Sequence, residues 1–144
     1  MIARAAIIAT AREWLGTRWQ HQASLKGIGC DCIGLIVGVA HECGVAEAAA
    51  WAVDSRGQGY GRAPDPAMLL AACADYLNPL PKVAARPADI LLMRFSKEPQ
   101  HFAILSVGGN IIHAYAQARR VVEHRLDALW RSRIVGAYAL RGVG

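Results

Sequence analysis

The chain has 144 residues, of which 54% are hydrophobic and 19% charged, and carries a formal charge of +5. That is enough for one ordinary domain with a real core, and the composition excludes a disordered chain. No apolar run approaches the roughly 18–20 residues that cross a bilayer. The positive surplus is dispersed, with no basic stripe interleaved with aromatics, so nucleic-acid binding and membrane insertion are both set aside.

A first helix is expected from about Ala3 to Leu15, because Ile7, Ala11, Trp14 and Leu15 share one face and Gly16 can end it. This amphipathic pattern reads as a helix and not as an export signal. Residues 17–31 form a loop, and a central apolar helix runs from Cys32 to Cys43 with Gly44 as its stop. Residues 45–65 begin with an alanine-rich helical turn and become a long surface loop containing Arg56, Tyr60 and Arg62; with Trp51, these would wall a cleft. Pro66 opens a third helix to about Tyr76.

After Pro79-Leu80-Pro81 the periodicity changes. Ala88–Phe95, His101–Leu105, Asn110–Tyr115, Arg119–Arg125 and Ile134–Leu140 read as strands separated by turns. Helices first and strands afterwards define an α+β chain, with an antiparallel sheet packed on the central helix. Residues 1–144 show no internal repeat and no boundary, and are read as a single domain.

The stretch Gly29-Cys30-Asp31-Cys32-Ile33-Gly34 carries the chemistry. Asp31 is a good N-cap, which puts Cys32 in the first turn, where unpaired amides and the helix dipole favour a thiolate. Glycines at 34 and 38 leave a bare stripe for close approach of another backbone. A nucleophilic cysteine needs an imidazole to take its proton and a third polar group to orient that imidazole. Cys32, His101 and His113 could supply that set. The two histidines share a face if the bend between their strands is centred on Val107; a two-residue turn at Gly108-Gly109 would put them on opposite faces. The first register is taken here.

The other candidates are weaker. Cys30, Cys43 and Cys73 read as packing residues, and a zinc site from Cys30, Cys32 and histidines has poor spacing. His41 and His124 read as surface residues.

With those motifs in place, the sequence resembles the NlpC/p-sixty family of papain-like cell-wall cysteine peptidases, particularly short members found in tailed phages and gene transfer agents. The resemblance rests on Leu15-Gly16-Thr17, Gly29-Cys30-Asp31-Cys32-Ile33-Gly34-Leu35, Pro87-Ala88-Asp89-Ile90-Leu91, His101-Phe102-Ala103-Ile104-Leu105 and Ile112-His113-Ala114. It implies a papain-like fold, with the nucleophile helix packed on a five- to six-stranded antiparallel sheet. It also implies Cys32 as nucleophile, His101 as general base and acid, charged in a resting ion pair, and His113 as the residue that orients His101. Asp31, Trp19, His21 and Gln22 become candidates for substrate contacts, and the Trp19–Gln22 loop for the second oxyanion donor. No metal or cofactor is needed.

The implied function is hydrolysis of the peptide stems of peptidoglycan, within a phage-like tail or baseplate that carries the enzyme from the cytoplasm to the periplasmic wall. Two other readings use the same fold: a structural tail component with little activity, and an amidase or acyltransferase with the same Cys-His site. Three departures stand out. Ile33 replaces the usual serine after the nucleophile, Arg18-Trp19 replaces a Pro-Tyr pair, and Gln22-Ala23 replaces two glycines.

Overall fold

A computed structural model describes residues 1–57 and 65–144. Among the described residues, five α-helices precede or interrupt a six-stranded antiparallel sheet. Helix α1 (Arg4–Glu13) leads to a two-stranded ribbon, β1 (Ser24–Leu25) and β2 (Gly29–Cys30), inside the expected loop. Helix α2 (Cys32–Glu42) follows directly. Next come α3 (Ala48–Gly57), α4 (Pro66–Tyr76) and β3 (Leu77–Leu80). The remaining strands are β4 (Ile90–Arg94), β5 (Pro99–Leu105), β6 (Asn110–Tyr115), β7 (Arg120–Arg125) and β8 (Ile134–Leu140), with α5 (Ala128–Ser132) between the last two. The strand order is β3-β8-β4-β5-β6-β7.

Helix α2 is apolar nearly all round, and it is the hub of the larger core. Leu35, Ile36 and Val39 pack with Ile7 of α1, Trp51 of α3, and Phe102 and Ile104 of β5. The opposite sheet face has its own core, where Leu91, Met93, Ala103 and Ile111 meet Leu126 and Trp130. Side chains alternate along a strand, so β5 and β6 serve both cores at once.

The stripe on α2 is used in two ways. A Cβ on Gly34 would overlap the carbonyl oxygen of Ala23, so the backbone entering β1 lies directly on the helix. A Cβ on Gly38 would meet the ring of Trp14 instead, a side chain rather than the expected backbone. The Trp14 Nε1 donates to Glu42 at 2.9 Å and pins α1 to α2. Backbone cannot yield as a flexible side chain can, so Gly34→Ala is expected to destabilise the fold by about 3 kcal/mol, at the upper end of overpacking penalties. Urea unfolding checks this, and a loss under about 0.5 kcal/mol would mean that the ribbon can move aside.

Several boundaries differ from expectation. Helix α3 extends through Asp54-Ser55-Arg56-Gly57, which the glycine and polar content had marked as loop. Its Trp51 is buried at 3% exposure, stacked on Tyr76 with centroids 5.5 Å apart, and is core rather than cleft wall. Tyr60 and Arg62 lie outside the described residues, as does the side chain of Arg56.

Strand β4 begins at Ile90, because Ala88 has a φ of +82° that an extended strand cannot contain. The motif's Asp89 is buried and accepts from Arg4 and from the Arg86 amide, joining α1 to the sheet. Strand β3 is masked in the sequence by Pro79; it lies at the sheet edge, where a missing N–H is tolerated. Helix α5 was missed as well, although Asp127 caps it by accepting from the Trp130 amide at 3.0 Å. Among the described residues, no helix is long and apolar enough to cross a membrane.

Candidate active site

Asp31 accepts the Gly34 amide at 2.8 Å through Oδ1 and the Gln22 amide at 2.9 Å through Oδ2. One buried carboxylate thus caps α2 and fastens the preceding loop to it. Gln22 has a φ of +56°, a conformation that glycine adopts freely, and the bond to Asp31 helps hold a glutamine there. Asp31 therefore shapes the site, while Cys32 is presented at the first turn of the helix.

The bend between β5 and β6 differs from the expected one. Ile104 pairs with Ile112 and Leu105 with Ile111, so the turn is centred on Gly108, with Gly108 and Gly109 both at positive φ. Centring on Gly108 or on Val107 leaves the same face shared, so His101 and His113 still sit on one side of the sheet, diagonally rather than directly opposed. His101 Nε2 and His113 Nδ1 are 2.6 Å apart. The β5–β6 ladder stops at Ile104, and His101, from the face opposite α2, lines one cleft with Cys32 beyond that point.

That cleft has a volume of about 360 Å³; Trp19, Asp31, Phe95, Gln100, Tyr115 and Gln117 also line it. Trp19 is thus brought to the site. His21 does not line the cleft, and Gln22 borders a second cavity with Ser24, Gly34 and Ser55. In the loop proposed for the second oxyanion donor, the Trp19 amide donates to Arg119, the Gln20 amide to Cys30 and the Gln22 amide to Asp31. Through its backbone amide Gln22 anchors this loop to the start of α2. The Ile33 departure places an apolar side chain in the core at 1% exposure.

Burial works against the expected ion pair. Burial, and next the Asp31 carboxylate, push the Cys32 thiol up to about 12, against backbone hydrogen bonds from Phe102, Ile33 and Cys32 itself. Burial, aided by the Arg133 charge, pushes His101 down to about 3. Burial thus opposes charge on both groups and favours a neutral thiol and a neutral imidazole over an ion pair. Cys30 is fully buried, and burial also raises its thiol to about 12, as befits a packing residue. Among the described residues, no three His, Cys, Asp or Glu side chains converge as a metal site.

The histidines sit in an aromatic box that the sequence did not reveal. Tyr115 stacks on His113 with centroids 5.2 Å apart, Trp130 meets His113 edge-on, and Phe95 tilts against His101. Arg133 lies 4.5 Å over the Trp130 ring. His124, read as a surface residue, is half-buried, and its Nε2 lies 2.8 Å from His113 Nε2.

Burial also holds His113 down at about 2, helped by the neighbouring His101 and His124. Both folded values lie below the ordinary 6.5, so the unfolded chain binds protons that the native state refuses. This contribution to stability is complete above pH 6.5 and is lost as the pH falls from there toward about 3. Each histidine should add up to about 1.4 kcal/mol per pH unit to the slope. Urea unfolding between pH 7 and pH 4 measures it; a midpoint independent of pH would contradict the neutral, buried pair.

The fold is that of NlpC/p60 domains. The NlpC/p60 domain of the peptidoglycan hydrolase SagA superposes with a TM-score of 0.62 at 18% identity, covering 95% of this chain and 98% of that one. An NLP/P60-family protein similar to lipoprotein, from Staphylococcus aureus, gives 0.62 at 18% identity, and this chain spans 41% of its length. The peptidoglycan hydrolase RipB from Mycobacterium tuberculosis gives 0.60 at 14% identity, with 94% of this chain and 63% of that chain covered. No family model and no curated protein matches the sequence.

Proposed function

We propose that this chain is a cysteine endopeptidase that hydrolyses the peptide stems of bacterial peptidoglycan. The observation that carries the reading is the convergence of Cys32 and His101 on one cleft, with His113 2.6 Å behind His101. Two of the structural neighbours named above, SagA and RipB, are peptidoglycan hydrolases, which supports the substrate class.

His101 Nε2 is committed to His113, so Nδ1 is the nitrogen left to face the thiol. Because the resting pair is neutral, the proton moves from Cys32 to His101 Nδ1 as the sulfur attacks the scissile carbonyl. Charge on the carbonyl oxygen is met by the Cys32 amide and by a second donor from the residues lining the cleft, which include Gln100 and Gln117. The C–N bond then breaks, His101 returns the proton to the leaving amine, and a thioester remains on Cys32. Water gives its proton to His101 Nδ1 and attacks the thioester, and Cys32 leaves with that proton.

The setting we propose is a phage-like tail or baseplate that carries the enzyme to the periplasmic wall, with other tail proteins as partners; the sequence resemblance supports it. Incubation with purified peptidoglycan tests the activity. Mass spectrometry should find new stem-peptide ends, with the bond next to a D-γ-glutamyl residue as the expected cut. Intact stems after incubation with folded protein would overturn the endopeptidase reading in favour of a structural component.

A further inference from the structure

The hydrogen bonds behind the base do not stop at His113. His113 Nε2 lies 2.8 Å from His124 Nε2, and His124 Nδ1 lies 2.9 Å from the backbone carbonyl oxygen of Arg125. Three imidazoles on adjacent strands β5, β6 and β7 therefore form one line, ending on a backbone oxygen.

That terminus has a fixed polarity. A carbonyl oxygen only accepts, so His124 Nδ1 must carry a proton. In a neutral ring His124 Nε2 is then bare and accepts, which requires the proton of His113 on its Nε2. His113 Nδ1 is bare in turn, which requires the proton of His101 on Nε2. Each ring holds one proton, every contact has one donor and one acceptor, and the bare nitrogen that lies outside these contacts is His101 Nδ1.

We infer that His124 is a positioning residue, which transmits the polarity of the Arg125 carbonyl through His113 and so holds His101 in the tautomer whose Nδ1 can take the Cys32 proton. The inference rests on the catalytic reading of Cys32 and His101, to which it adds the means by which the base is kept ready. His113 alone cannot do this, because a neutral imidazole presents either a donor or an acceptor at Nδ1. Burial keeps His101 and His113 uncharged, so the alternating pattern is the resting one. Trp130 packs against both His113 and His124, with centroids 5.0 and 5.1 Å away, and limits rotation of the line.

Two measurements test this, and neither needs peptidoglycan, so they can fail or succeed independently of the hydrolysis experiment. Long-range ¹H–¹⁵N correlation of the wild-type imidazoles at pH 7.5 should show protons on His101 Nε2, His113 Nε2 and His124 Nδ1. A proton on His101 Nδ1, or one on His124 Nε2 in place of Nδ1, would overturn the inference even if no variant folds. In the second, Cys32 alkylation by iodoacetamide is timed in His124→Phe and His124→Gln. Phenylalanine should slow it by at least about tenfold, because His101 is freed to adopt the wrong tautomer. Glutamine, whose Oε1 can accept from His113, should restore the rate to within about threefold of wild type. An unchanged rate in folded His124→Phe, or equal slowing by both variants, would reduce His124 to a packing residue.

Discussion

Cys32→Ala should abolish stem-peptide release, and His101→Ala should reduce it by at least about a thousandfold, with the fold retained in both. The expected loss is large because the two residues act as one unit. Without the sulfur no thioester can form, and without the imidazole the thiol stays protonated, since burial and the Asp31 carboxylate hold it near 12. Alanine at 32 removes one small buried group at a helix start and leaves the Asp31 cap untouched, so the urea midpoint should move little. His101→Ala should even lessen acid sensitivity, because one buried neutral imidazole is gone. Turnover by either variant within tenfold of wild type would place the chemistry elsewhere.

Asp31 offers the second large effect, this time divided between stability and reactivity. Asp31→Ala strips the acceptors from the Gly34 and Gln22 amides in a buried setting. The loss should be about 2–4 kcal/mol, from one N-cap and one further unsatisfied amide. Asp31→Asn can keep one acceptor while removing the charge that raises the Cys32 thiol. Its Cys32 should therefore alkylate several-fold faster than wild type near pH 8, despite a weaker fold. Slower alkylation in a folded Asp31→Asn protein would show that loop geometry, and not the carboxylate's charge, governs the thiol.

Much of this architecture is written in local chemistry. The Asp31 cap, the Pro66 start of α4 and the strands Asn110–Tyr115 and Ile134–Leu140 follow from signals within a few residues, and the structure bears out each one. The α+β class and the sheet-on-helix packing follow from the order of those signals. What could not be read depends on partners distant in sequence. Trp51 looked like a loop aromatic until Tyr76 and Phe102 were placed against it. Pro79 hid an edge strand, because only the sheet order shows that its missing N–H is harmless.

The site divides in the same way. Cys32, His101 and His113 carry recognisable spacing, and even the shift of the bend from Val107 to Gly108 preserved their shared face. The thiol's proton affinity does not follow from the helix start alone, since burial beneath the surrounding elements opposes the pull of a few amides. His124 was illegible because its meaning lies in register: β7 pairs Ile111 with His124 and His113 with Val122, and only the folded sheet brings the two imidazoles together.

The most direct test is to look for the acyl group itself. The protein is mixed with a soluble stem-peptide fragment, quenched in acid during turnover, and digested for mass spectrometry. A stem-peptide acyl mass on the peptide containing Cys32, labile to hydroxylamine, is the predicted result. Continued cleavage with no mass ever added to Cys32, or with the adduct on another residue, would contradict a cysteine nucleophile at the start of α2.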